Sequence, residues 1–135
     1  METSRDQELR KGVAAHQAGD LTAAAACYVR VLESAPGHAD AQHLLGLVYA
    51  QTGQGRRGAE LIRAAIAADA TVPLYHANLG RVLKGDGDYQ GAVDAYLAAI
   101  ALSPEDAVLW SDLASARLSN GNVEGALKAA KHALS

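Results

Sequence analysis

Small and large apolar residues return along this chain at one fixed interval, with polar residues between them. Gly12, Gly46 and Gly80 stand 34 residues apart, and Ala114 takes the next place. A second register, Gly19, Gly53, Gly87 and Gly121, repeats without exception. Small residues recur at Ala24, Gly58, Ala92 and Ala126, and bulky ones at Tyr28, Ile62 and Tyr96, where Ala130 breaks the series. Leu45, Leu79 and Leu113 form a further register, and Pro36, Ala70 and Pro104 another. A repeat of this length is one supersecondary unit that buries its apolar face only by stacking on its neighbours. No apolar–polar alternation runs long enough to read as a strand.

Each register has a mechanical reading. The Gly19 series marks the ends of helices, because glycine tolerates the left-handed conformation of a helix stop. The residues that follow are Asp20, Gln54, Asp88 and Asn122, and all but Gln54 are good N-caps for a next helix. The Gly12 and Ala24 series allow close helix crossing, the larger residues fill the remaining space, and Pro36 and Pro104 punctuate the second helix of a unit. The spacing predicts eight helices, over 5–18, 21–34, 39–52, 55–68, 73–86, 89–102, 107–120 and 123–134. The units are expected at 5–38, 39–72, 73–106 and 107–135, in a single domain spanning 1–135.

These residues resemble the tetratricopeptide repeat. The resemblance rests on Leu79-Gly80, Ala92, Tyr96, Ala99 and Pro104, on Trp110, Leu113 and Ala126, and on Leu45-Gly46, Tyr49, Ala59 and Ala65. Lys11 and Arg117 depart from the pattern in the first and fourth units, as terminal repeats do. The family implies an all-α fold, a right-handed α-solenoid of four helix-turn-helix repeats. It also implies a concave wall made by the first helix of each unit, where a peptide or protein segment binds. Carried onto this sequence, that wall holds Leu9, Val13 and His16, then Asp40, His43, Leu44 and Leu47. Further along come Asn78, Arg81 and Lys84, and finally Ser111, Asp112 and Ser115. Its first half is apolar and its second half polar and charged. Leu44 and Leu47 can equally pack between neighbouring first helices.

Two sub-types can be compared. The carboxylate clamp of chaperone-binding members would need Lys and Asn where Leu9, Val13, Leu44, Leu74 and Asn78 stand, and only Asn78 fits. The asparagine ladder of protein glycosyltransferases is matched by Asn78 and partly by Asp112, and broken by Arg10 and Leu44. His43-Leu44-Leu45-Gly46 and Asn78-Leu79-Gly80 look like bacterial arrays that precede glycosyltransferase or sulfotransferase domains. The implied function is an adaptor or scaffold that binds a protein. The alternative is the substrate-recruiting or oligomerising arm of such an enzyme. The chain ends where the eighth helix would finish, without the solvating helix usual in the family. The expectation is either a piece of a longer protein or self-association through Leu127, Ala130 and Leu134.

Composition narrows the chemistry. Half of the 135 residues are hydrophobic, and with 4% aromatics and no Phe the apolar share is carried largely by alanine, the best helix former. A net charge of −3 without a basic stripe argues against nucleic acid. No apolar stretch approaches the ~20 residues of a membrane span, and the polar N-terminus has no secretory pattern. A cytoplasmic location is expected. The single cysteine, Cys27, suits a reducing compartment and reads as a buried thiol.

Three motifs resemble chemistry. Gly53-Gln54-Gly55-Arg56-Arg57-Gly58 matches G-x-G-x-x-G, but a dinucleotide loop needs a strand before it. Asp86-Gly87-Asp88 begins like a calcium loop, yet its twelfth position is Leu97 where a bidentate Glu is required. The five histidines do not fall at metal-ligand spacing, His38 and His43 being five apart. No cofactor, no metal and no catalytic group is therefore expected. Tyr28, Tyr49, Tyr89, Tyr96 and Trp110 fall at packing positions, whereas Tyr75 falls outside them, which leaves exposure open to it.

Overall fold

The computed structural model describes residues 2–135. Among these residues the chain is all-α. The helices are α1 (Ser4–Gln17), α2 (Leu21–Ser34), α3 (Ala39–Gln51), α4 (Gly55–Ala68), α5 (Pro73–Gly85), α6 (Tyr89–Leu102), α7 (Ala107–Ser119) and α8 (Val123–Leu134). They fall into two compact units, Met1–Asp69 and Ala70–Ser135. Within each unit every helix packs on its successor, α1 through α4 in the first and α5 through α8 in the second. Among the described residues no helix is long and apolar enough to cross a membrane.

Turn chemistry explains the helix boundaries. After α1, the Gly19 N–H donates to the His16 carbonyl at 3.0 Å and the Asp20 N–H to the Ala15 carbonyl at 2.9 Å. This paired closure needs a left-handed residue at its centre, and Gly19 sits at φ +83°. Gly53, Gly87 and Gly121 repeat the geometry at φ +87°, +85° and +82°. The next helix is then capped by side chains. Asp20 accepts from the Ala23 N–H at 3.1 Å, Asp88 from Gly91 at 2.9 Å and Asn122 from Gly125 at 2.9 Å. Gln54, whose amide lies one carbon further out, makes no such bond.

The starts of the other helices are more varied. Thr3 and Asp6 form a reciprocal capping box, Asp106 caps α7, and Pro73 opens α5 with its fixed φ. The α3 cap is His38, whose Nδ1 accepts the Ala41 N–H at 3.1 Å.

Ring-on-glycine packing joins the first and third pairs. Tyr28 lies on Gly12 and Tyr96 on Gly80, so close that a Cβ on either glycine would stand 2.6–2.9 Å from ring carbons. In the second pair the smaller Ile62 replaces the ring, and the backbones themselves approach: a Cβ on Gly46 would stand 2.7 Å from the Gly58 carbonyl oxygen. In the last pair the same two register positions hold Ala114 and Ala130. In the first unit, Ala24, Tyr28, Leu45 and Val48 form the core, with Leu9, Val13, Leu44 and Leu61 packed around it.

The structure decides the one aromatic that lies outside the packing registers. Tyr75 is buried, at 4% exposure, and not at the surface. It shares a helical face with Leu79 and Val82, both buried, and nearly every residue from Tyr75 to Leu83 in α5 is enclosed.

Candidate functional site

The first helix of each pair carries the residues expected to meet a partner, and the two units present them differently. In the first unit, Leu9, Val13 and Leu44 are half-buried and packed against the core. Leu47 is also half-buried and Asp40 is exposed, whereas His43 is enclosed at 3% exposure. Burial pushes the His43 imidazole below its ordinary range, which leaves the ring neutral at pH 7.

The face of the second unit is built from polar bridges. The Arg81 guanidinium donates from Nη1 to Asn78 Oδ1 at 2.8 Å and from Nη2 to Asp112 Oδ2 at 2.9 Å. One side chain thereby ties a turn of α5 to α7. Asn78 is nearly enclosed at 9% exposure, while Arg81 reaches solvent. Lys84, one turn further along α5, borders a cavity of about 410 Å³ with Arg81, Gly85, Tyr89, Tyr96, Asp112 and Ser119. Ser111 and Ser115 are exposed on α7.

At the matching position of the first unit there is a closed cluster. His16 Nδ1 lies 3.1 Å from the Tyr28 hydroxyl and His16 Nε2 lies 2.7 Å from Gln51 Oε1. With the amide oxygen as acceptor, Nε2 carries the proton and Nδ1 accepts from the tyrosine. Tyr89, Tyr96 and Ser119 were not among the wall positions implied by the sequence. The signal was present: His16 and Gln51 stand two periods before Lys84 and Ser119.

The remaining candidate groups have structural roles. Cys27 is buried, and desolvation together with the nearby Glu8 carboxylate holds its thiol above the ordinary range, unsuited to a nucleophile. Glu8 itself pairs with Arg30 at 2.5 Å. His76 Nε2 bonds the Ala70 carbonyl at 2.9 Å, and His132 stacks on Trp110 with ring centroids 4.1 Å apart. Trp110 donates its indole N–H to the Pro104 carbonyl at 2.8 Å. Among the described residues no three His, Cys, Asp or Glu side chains gather as a metal site. The G-x-G-x-x-G segment follows helix α3 rather than a strand: Gly53 is its stop and Gly58 is a helix contact.

Comparisons with known proteins agree with this architecture. The sequence profile for the tetratricopeptide repeat matches residues 9–73 and 77–134. A crystal structure of MamA superposes with a TM-score of 0.90 at 21% identity, covering 97% of this chain and 77% of that one. A Thermobaculum terrenum O-GlcNAc transferase mutant is 32% identical, with a TM-score of 0.79 over 87% of this chain and 23% of that one. The BBSome complex member bbs-4 of Caenorhabditis elegans is 27% identical over 95 residues, 70% of this chain. The chain spans about a fifth, 21%, of the length of that curated relative.

Proposed function

The chain belongs to the tetratricopeptide repeat family, and from that footing we propose that the first-helix face of each of its units binds polypeptide, as an adaptor or scaffold. The observation that carries this reading is the Asn78–Arg81–Asp112 bridge. A guanidinium held by two partners on adjacent first helices is oriented before any ligand arrives, and pre-organisation lowers the ordering cost of binding. Its outer edge is open to the solvent. In the other unit, Leu9, Val13, Leu44 and Leu47 keep part of their apolar surface accessible, a complement to aliphatic side chains.

A protein captured by crosslinking in cells supplies the test. Asn78→Ala and Arg81→Ala are each expected to weaken its binding by about 1–2 kcal/mol, roughly five- to thirtyfold, without loss of helicity. Unchanged affinity of both variants, with the fold intact, excludes this face.

The identity of the captured protein separates a scaffold from a second reading, the recruiting arm of a larger enzyme. That reading is favoured by the likeness to the O-GlcNAc transferase, of which this chain matches only 23%. A bound modification substrate would support it, and a bound assembly partner would support the scaffold.

We also infer a route to self-association. Val123, Leu127 and Leu134 on α8 are 58%, 59% and 89% exposed, an apolar stripe of the kind that marks interaction surfaces. Sedimentation is expected to show concentration-dependent association that Leu127→Glu reduces. A monomer throughout the accessible concentration range would remove this part of the reading.

A further inference from the structure

Two periods of the repeat relate the Tyr28–His16–Gln51 cluster of the first unit to Tyr96, Lys84 and Ser119 in the second. The scaffold is the same in both: a tyrosine ring laid on a glycine, Gly12 in one and Gly80 in the other. The outcome differs. Hydrogen bonds of 3.1 and 2.7 Å close the first cluster, whereas no bond joins Tyr96, Lys84 and Ser119, which line the 410 Å³ cavity. The substitution of a bridging ring by a flexible ammonium, and of an amide by the shorter serine, leaves room where the first unit has contact.

The cavity's charges can be summed. Arg81 is compensated by Asp112 at 2.9 Å, and its other nitrogen is committed to Asn78. Lys84 has no ion-pair partner among the described residues, so one positive charge is left over on a wall that is otherwise neutral. Tyr96, its ring enclosed at 2% exposure, turns a hydroxyl with no hydrogen bond to another described residue towards the accessible space of the cavity. Ser119 adds another donor at the rim.

We propose that this cavity receives one Asp or Glu side-chain carboxylate of a bound polypeptide, with Lys84 as its charge partner and the Tyr96 and Ser119 hydroxyls as donors. The proposal rests on the protein-binding reading above and names the chemistry of one contact within it. A singly charged group matches the single uncompensated cation. A phosphate would bring a second negative charge against Asp112 on the same wall.

The intact chain is titrated with the blocked peptide acetyl-Ala-Glu-Ala-amide, followed by NMR at the Lys84 side chain and the Ser119 amide. Saturable shifts at both are expected, with binding about tenfold weaker for the glutamine counterpart. Lys84→Gln should lose the preference for glutamate, and Lys84→Arg should retain it. The double change Lys84→His with Ser119→Gln copies the first unit's closure. It should abolish the shifts while preserving the helical spectrum.

Equal binding of the two peptides, or a preference unchanged in Lys84→Gln, overturns the proposal. So does tighter binding of acetyl-Ala-Gln-Ala with a free C-terminus, which would make the ligand a terminal carboxylate. The two readings fail separately. A captured partner that needs Asn78 and Arg81 but ignores Lys84 refutes only the cavity. Peptide shifts at Lys84 with a partner indifferent to Asn78 and Arg81 refute only the wider face.

Discussion

Gly58→Ala is expected to destabilise the first unit by about 3 kcal/mol, an overpacking cost at the upper end of its usual range. The added methyl would sit inside van der Waals contact with the Gly46 carbonyl oxygen and 3.1 Å from the Ala50 backbone nitrogen. Both obstacles are main chain, so no rotamer change relieves them. The α3 and α4 axes must separate, and the Ile62 contact with Gly46 loosens with them. Because repeat stability is a sum of local terms, amide exchange should accelerate first in α3 and α4. Gly85→Ala is the matched control. It lies at the end of α5 with open space around its Cβ position, so its gain in helix propensity should leave stability unchanged or slightly raised. Urea unfolding of the two variants decides the matter. A Gly58→Ala protein within about 0.5 kcal/mol of the parent would mean that the backbones are not in contact, since changes of that size are ordinary at surfaces.

The second large effect concerns the tyrosines. Tyr28→Ala and Tyr96→Ala should each cost about 3–5 kcal/mol, the range for removing a buried aromatic ring. Both rings are almost wholly enclosed, at 0% and 2% exposure, and both cover a glycine that no other side chain reaches so closely. The hydroxyls separate the two positions. Tyr28→Phe breaks the bond to His16 and should cost about 1 kcal/mol. Tyr96→Phe breaks no bond to a described residue and should be close to neutral.

Alkaline titration gives an independent check. Burial pushes both phenols from 10.0 up to about 12. A folded-state pKa above the unfolded one means that stability is intact below pH 10 and falls as the pH rises towards 12, because the unfolded chain releases its protons first. The double Phe variant should flatten that fall. A parent protein equally stable at both ends of this window would show the phenols to be solvated.

The helix boundaries were legible from residues adjacent in the chain. The predicted and observed limits agree within one residue at every end; the first helix of each pair stops at a left-handed glycine, and all starts but those of α4 and α5 have a side-chain acceptor. Asp20, Asp88 and Asn122 cap as their types require, and Gln54 does not. His38 was missed as a cap, since histidine carries no strong positional preference that marks it. The placement of Tyr75 is not legible from the registers, because they do not show that α5 is enclosed along most of its length.

The site was legible only in part. Family geometry implies Asn78, Arg81 and Asp112 as wall residues, but nothing in the sequence shows that Arg81 holds the other two. The sequence allows Leu44 two roles, and the structure packs it, half-buried, against the core.

Repeat length, helix limits, turns and the identity of the packing registers were thus determined by the sequence itself, because each depends on hydrogen bonds and sterics within a few residues. Tertiary structure alone decided which register positions close and which stay open. His16 reaches Gln51 across 35 residues, and Arg81 reaches Asp112 across 31. Such contacts exist only at the separation that helix packing sets, and tenths of an ångström there choose between a hydrogen bond and a cavity.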